Sequence, residues 1–166
     1  MPLCGAQIQG QASHPVALQD QSKLVLTPHV YGHGNHPYFF AADFPNNLPP
    51  IWTQHWGRIP GTTGHAVVVG EWGGIWAATQ RNGHDLRATE PWQRALTAYM
   101  SQRGIGAFYW TLNDNSFRTG SLYADYTGAT SAKLAMLSAA PVTIMSELEP
   151  TWPVHPPFAP SPPYPP

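Results

Sequence analysis

The sequence predicts an α/β fold in which short parallel strands alternate with helices. Three apolar segments are typical of strands, and a helical pattern follows each of them along the chain. Consecutive parallel strands need a crossover connection, which is usually a helix, so this alternation favours a parallel sheet. At 166 residues, the chain is long enough for one domain with its own core.

The first strand is predicted over residues 24–31, which are mostly apolar or β-branched. Residues 32–35 contain two glycines and an asparagine and predict a loop. Apolar side chains with helical spacing then predict a helix over residues 48–59, with prolines at its start. Trp52 and Trp56 lie on one face of this helix, and we expect both in the core.

The second strand is predicted over residues 66–70, and a loop containing Gly and Asn over residues 73–88. The sequence Thr89-Glu90-Pro91 is typical of a helix start, because it combines a capping hydroxyl, an acid in the first turn and an early proline. Gly104 is a good C-terminal cap for that helix.

The third strand is predicted over residues 105–110, followed by a polar loop over 113–128 and a short helix over 131–140. Residues 150–166 differ, because nine of these seventeen residues are proline and no periodicity remains. The chain therefore divides into a folded domain at 1–145 and a Pro-rich tail or linker at 146–166, which need not fold.

Composition excludes several classes of partner. A net charge of −1 gives no electrostatic basis for binding nucleic acid or an anionic membrane. The sequence has no apolar stretch near the ~18 residues of a membrane helix, and residues 1–20 show no signal peptide pattern. Seven tryptophans and only 10% charged residues suit a neutral polar ligand with apolar faces, such as a sugar. Alternatively, the aromatic residues fill the core.

The apolar run Val67-Val68-Val69 leads into a single carboxylate, Glu71, with glycines on both sides. In α/β folds, active sites lie at the carboxyl ends of the parallel strands. The alternative is a strand that ends in an ordinary solvated glutamate. His29 and Tyr31 alternate with Val30 along the first strand, so both side chains are predicted to lie on one face.

The histidines at positions 29, 33 and 36 have a spacing that would suit a metal site on a helix face. Gly32, Gly34 and Pro37 break any helix in this segment. We therefore predict no metal site and no cofactor.

Four motifs, in order and at matching spacing, resemble glycoside hydrolase family 5, the cellulase family. They are Pro28-His29-Val30-Tyr31-Gly32, residues 44–52, Val69-Gly70-Glu71-Trp72-Gly73-Gly74, and residues 108–116. The similarity runs from about residue 5 to residue 140. It implies that the chain is the C-terminal portion, about strands six to eight, of a (β/α)₈ TIM barrel.

The resemblance implies endo-acting, retaining hydrolysis of β-1,4-glucan, with an extracellular location. On matched positions, Glu71 would be the catalytic nucleophile, Tyr31 would hold its carboxylate by a hydrogen bond, and His29 would contact the sugar and the catalytic pair. A nucleophilic carboxylate must stay ionised, and donated hydrogen bonds favour the charged form. The resemblance implies that Trp110 is the surface on which the sugar stacks. We also expect Trp72 and Trp76 to line the cleft, and we expect Trp72 and Asn113 to bind substrate.

The sequence departs from the family pattern in one important respect. The family's acid/base glutamate belongs to an Asn-Glu-Pro motif after strand four, and this sequence contains no Asn-Glu-Pro. We therefore expect a fragment that carries the nucleophile, lacks the N-terminal half of the barrel as its partner, and is inactive alone. The alternative is a non-catalytic or degenerate carbohydrate-binding fragment.

Overall fold

A parallel three-stranded sheet forms the centre of the computed structural model of this chain. Its strands are β2 (His29–Tyr31), β4 (Val69–Gly73) and β7 (Ala107–Tyr109), in the order β2–β4–β7. Both pairings are parallel, which confirms the predicted α/β organisation. The structure describes residues 5–32, 37–76, 80–81, 84–85, 89–111, 122 and 128–138.

The first two predicted strands each consist of two segments. Strand β1 (Val25–Leu26) pairs in parallel with β3 (Ala66–Val67), directly before β2 and β4. The break after β1 contains Pro28, which has no N–H to donate to a neighbouring strand. The Pro28 carbonyl still accepts a hydrogen bond from the Gly70 N–H, at 2.9 Å.

The predicted helix over 48–59 is divided into three parts. Helix α1 (Leu48–Trp52) leads into a π-helical turn at Thr53–Gly57, and α2 (Ile59–Thr63) follows. In the wide turn, the Arg58 N–H donates to the Thr53 carbonyl, five residues earlier, at 3.0 Å. The hydroxyl groups of Thr53 and Tyr99 lie 2.8 Å apart, so a contact from a distant helix accompanies the irregularity.

Helix α3 (Thr89–Arg103) begins at the predicted residue, and Gly104 follows it with a left-handed φ of 62°. Helix α4 (Gly128–Ser138) begins three residues before its predicted start. Residues 73–88, predicted as a loop, contain two short antiparallel strands, β5 (Gln80–Arg81) and β6 (His84–Asp85). Asn-Gly at positions 82–83 is the hairpin signal that would have predicted them.

The core lies between the sheet and the helices on one of its faces. The Trp52 and Trp56 rings each pack against Tyr99 of α3 with centroids 5.3 Å apart, which confirms both as core residues. In contrast, Phe108 of β7 is 68% exposed. The buried apolar core residues are Ala6, Leu26, Val30, Phe39, Leu48, Trp52, Trp56, Ile59, Val67, Val69, Trp72, Trp92, Leu96, Tyr99, Met100, Ile105 and Met136.

Two predictions fall on residues that the structure leaves out. The polar loop over 113–128 lies outside the described residues, apart from Leu122 and Gly128, and so does the Pro-rich tail at 146–166. The predicted division into domain and tail therefore stays a prediction. In the part of the chain that the structure describes, no helix is both long enough and apolar enough to cross a membrane.

Candidate active site

The pairing of β2 with β4 brings the three candidate catalytic residues together. His29 lies directly opposite Glu71, and Tyr31 lies opposite Gly73. Val30, between His29 and Tyr31, pairs with Trp72, and both are buried on the helix side of the sheet. Because side chains alternate along a strand, His29, Tyr31 and Glu71 share the opposite face, as predicted for the first two.

The Glu71 carboxylate is held through one oxygen. The Tyr31 hydroxyl donates to Glu71 Oε2 at 2.6 Å, which is the short distance of a hydrogen bond to a charged acceptor. His29 Nδ1 lies 3.4 Å from the same oxygen. The Glu71 side chain is 30% exposed and that of His29 is 42% exposed. The carboxylate is therefore oriented by protein groups and still accessible to a ligand.

Tyr31 stays a hydrogen-bond donor throughout the neutral pH range. Burial raises the pKa of its hydroxyl well above the usual value of 10, and the hydrogen bond to Glu71 raises it further. A phenol with so high a pKa keeps its proton, so it continues to donate to the carboxylate.

A β-bulge shapes β4 at the carboxylate. Val69 pairs with Ala107 and Trp72 pairs with Tyr109, so three residue steps on β4 face two on β7. Bulges often occur beside active sites, where they redirect a side chain. The sequence pattern does not predict this bulge.

Two glycines pack against His29, of which Gly70 belongs to the motif around Glu71, whereas no sequence pattern associates Gly5 with the site. The His29 N–H donates to the Gly5 carbonyl at 3.1 Å, and Gly5 has a left-handed φ of 70°. A Cβ on Gly70 would lie 3.3 Å from His29 Nε2. A larger residue at position 70 would therefore press on the imidazole ring.

The structure buries Trp72, which was expected to bind substrate. Its side chain is only 1% exposed and packs edge-to-face on Tyr109, with ring centroids 5.0 Å apart. Trp72 follows Glu71 on the strand, so alternation directs the two side chains to opposite faces of the sheet. The indole therefore belongs to the core between sheet and helices.

Trp110 lies at the end of β7 and is 46% exposed. Its N–H donates to the Trp72 carbonyl at 2.7 Å, and its own carbonyl contacts Gly73. Since Tyr109 points toward the helices, alternation places Trp110 on the same face as Glu71. The peptide bond between Trp110 and Thr111 is cis. Asn113, the remaining predicted substrate-binding residue, lies outside the described residues.

Substitution of Gly73 by alanine should disturb this strand end. The added Cβ would collide with the Trp110 carbonyl oxygen, which belongs to the backbone and cannot rotate away. We expect Gly73→Ala to lower the free energy of unfolding by about 1–3 kcal/mol, the usual cost of overpacking. Urea unfolding would measure it, with Gly106→Ala as control, because a Cβ at position 106 meets no atom within 4 Å. Equal midpoints for the two variants would contradict the expectation.

Among the described residues, no group of three or more His, Cys, Asp or Glu side chains is placed to hold a metal ion. His33 and His36 lie outside them.

Comparisons with known proteins point to one family. Residues 4–116 match the profile of the cellulase family, glycosyl hydrolase family 5. The chain is 41% identical over 124 residues to an endoglucanase of Paenibacillus polymyxa, a match that covers 73% of this chain and 30% of that protein. It is 36% identical over 137 residues to the major extracellular endoglucanase of Xanthomonas campestris pv. campestris, covering 80% of this chain and 26% of that protein.

Solved structures give the same result. An endocellulase from Pyrococcus horikoshii, in complex with cellotetraose, matches with a TM-score of 0.69 at 35% identity, over 80% of this chain and 35% of that chain. The catalytic domain of the Xanthomonas campestris endoglucanase matches with a TM-score of 0.66 at 34% identity, over 81% and 37%. The chain thus spans only about a third of the length of these relatives. Since the family profile matches more than half of its residues, the chain belongs to glycosyl hydrolase family 5, the cellulases.

Proposed function

We propose that this chain is the C-terminal part, about strands six to eight, of the (β/α)₈ catalytic barrel of a retaining endo-β-1,4-glucanase. The endoglucanases and endocellulase matched above support this, because the match covers most of this chain and only part of each of them. The parallel order β2–β4–β7 is the arrangement expected of consecutive barrel strands. The contact between Tyr31 and Glu71 carries the catalytic part of the proposal.

In this proposal Glu71 is the nucleophile. A retaining glycosidase uses one carboxylate to attack the anomeric carbon and form a glycosyl ester, and a second carboxyl group as acid and then base. Because Oε2 of Glu71 accepts the Tyr31 hydrogen bond, the other oxygen, Oε1, is the one that attacks. Tyr31 and His29 hold the carboxylate plane while the new C–O bond forms.

Trp110 and His29 supply substrate contacts. An exposed indole on the same face as Glu71 offers an apolar surface for the flat face of a glucose ring. The partly exposed imidazole of His29 has a polar ring edge for a sugar hydroxyl. Asn113 follows Trp110 in the sequence and is proposed to bind the same sugar through its amide.

The acid/base carboxyl belongs, in this proposal, to the remainder of the barrel. Without it the natural leaving group departs unprotonated, and general acid help is typically worth about 10²–10⁴-fold. The 166-residue chain alone is therefore proposed to lack measurable activity on β-glucan polymers. By its relationship to an endoglucanase named as extracellular, the complete enzyme is proposed to be secreted, with residues 146–166 as a linker.

An activated glycoside tests the nucleophile in this chain as it exists. In 2,4-dinitrophenyl 2-deoxy-2-fluoro-β-cellobioside the aglycone leaves as dinitrophenolate, taking the bonding electron pair, so no acid is needed. The bond from C1 to the phenolic oxygen breaks, and a bond from C1 to a Glu71 oxygen forms. We expect one fluorocellobiosyl group per chain by intact mass, located on Glu71 by peptide mapping.

The outcomes distinguish the two hypotheses. Labelling of Glu71 supports the proposed nucleophile, and excess cellotetraose should slow it by competition. Binding of cellotetraose without labelling would contradict the nucleophile and favour the degenerate carbohydrate-binding fragment. Labelling at another carboxylate would contradict the assignment of Glu71.

A further inference from the structure

A buried hydrogen-bonded cluster lies on the opposite face of the sheet from Glu71. It joins Gln93 of α3, Tyr109 of β7 and the backbone of Gly74, just after β4. The Tyr109 hydroxyl donates to Gln93 Oε1 at 2.9 Å, and Gln93 Nε2 donates to the Gly74 carbonyl at 3.3 Å. The same carbonyl lies 3.4 Å from the Tyr109 hydroxyl. Gln93 is completely buried.

The chemistry of the three groups fixes their orientation. The Gly74 carbonyl can only accept, so the Gln93 amide must turn its NH₂ toward it. The amide oxygen then faces Tyr109, whose single hydroxyl proton is its donor. Burial raises the pKa of Tyr109 to about 12, so the hydroxyl keeps that proton. Lys133 of α4 packs over the same ring, with its Nζ 5.7 Å from the centroid.

This cluster is attached to both strand ends that form the candidate site. Gly74 follows Gly73, whose backbone contacts the Trp110 carbonyl, and Tyr109 directly precedes Trp110. On the other strand, Trp72 follows Glu71 and accepts the Trp110 N–H at 2.7 Å. A shift of the Gln93 amide would therefore move the indole of Trp110, the proposed stacking surface for the sugar (the Trp110 platform), relative to Glu71.

Burial of an amide side chain in the core costs free energy. Placing it in apolar surroundings is unfavourable unless each polar atom finds a partner. An aliphatic side chain would fill the same volume without that requirement. Unlike an aliphatic residue, Gln93 makes two directional hydrogen bonds. Together they set the distance between the end of β4 and the end of β7.

We propose that Gln93 and Tyr109 are positioning residues that fix the spacing between the nucleophile and the Trp110 platform. This inference rests on the proposed function of Glu71 and goes beyond it, because neither residue contacts the substrate face. The requirement follows from the geometry of covalent catalysis, in which a misplacement of about 1 Å can cost about 10²-fold in rate.

The test compares two tyrosines that each lose only a hydroxyl. Tyr109→Phe removes the donor to Gln93 and keeps the ring packed on Trp72. Tyr99→Phe is the matched control, because it removes a hydroxyl that makes a part-buried contact to Thr53, away from the site. Gln93→Leu is the second variant, which keeps the volume and removes both directional contacts.

Two readouts are measured well below the melting temperature of each variant. The first is the rate constant of labelling at a saturating concentration of 2,4-dinitrophenyl 2-deoxy-2-fluoro-β-cellobioside. It is determined separately from the dissociation constant of this reagent. We expect a loss on the order of tenfold in the covalent step for Tyr109→Phe and Gln93→Leu. The second is hydrogen exchange at the Trp110 N–H, which should accelerate in these variants. Tyr99→Phe should change neither quantity by more than about twofold.

Equal covalent rates in wild type and Tyr109→Phe, with unchanged exchange at Trp110, would overturn the positioning role. An equal loss in Tyr99→Phe would overturn it as well, because general destabilisation would then explain the effect. A wild-type chain that is never labelled would instead contradict the proposed function. In that case hydrogen exchange still decides whether Gln93 and Tyr109 hold the end of β7.

Discussion

Glu71→Gln is expected to abolish covalent labelling of the chain, and turnover of the complete barrel should fall by many orders of magnitude. An amide keeps the size of the side chain but cannot attack the anomeric carbon as a carboxylate does. Covalent labelling would be followed by intact mass over hours, and turnover by release of reducing sugar from a soluble β-glucan.

Glu90→Gln is the matched control for this substitution. Glu90 lies in the first turn of α3 and pairs with Arg94 at 3.0 Å on the surface, so Glu90→Gln makes the same chemical change on another element. Its labelling rate should equal that of wild type. Near-normal labelling of Glu71→Gln would show that another group is the nucleophile.

Trp56→Ala is expected to cause the largest loss of stability, about 3–5 kcal/mol in the free energy of unfolding. Trp56 is fully buried and packs edge-to-face on Tyr99, so its removal leaves a cavity between α3 and the π-helical turn. Chemical denaturation followed by circular dichroism would measure the change. Phe40→Ala, at an exposed position, is the control and should cost far less. A similar cost in both variants would contradict the assignment of Trp56 to the core.

The sequence predicted best the features whose determinants are local. Helix α3 starts at the predicted Thr89, because capping and first-turn chemistry are encoded within three residues, and Gly104 supplies the left-handed residue at its end. The facing positions of His29 and Tyr31 followed from strand alternation alone. Their contact with Glu71 was implied by the family resemblance, since pairing of strands 40 residues apart leaves no local signal.

Features that depend on distant contacts could not be predicted from local sequence patterns. The π-helical turn at Thr53–Gly57 lies against Tyr99, which is more than 40 residues away along the chain, so no local pattern predicts it. Trp72 looked exposed because it stands beside Glu71 in a glycine-rich motif, yet its side chain lies on the other face of the sheet. The bulge in β4 depends on its register with β7, which sequence periodicity does not contain.

Strand β7 has a consequence for handling the protein in solution. Within the described residues it pairs with β4 alone, and Phe108 is largely exposed on it. A strand with unpaired backbone groups and an exposed aromatic ring is a template for pairing with another chain. Strand β2 is better protected, because the Gly5 carbonyl accepts its His29 N–H. Self-association of the isolated chain should therefore begin at β7, increase with protein concentration, and decrease when Phe108 is replaced by lysine.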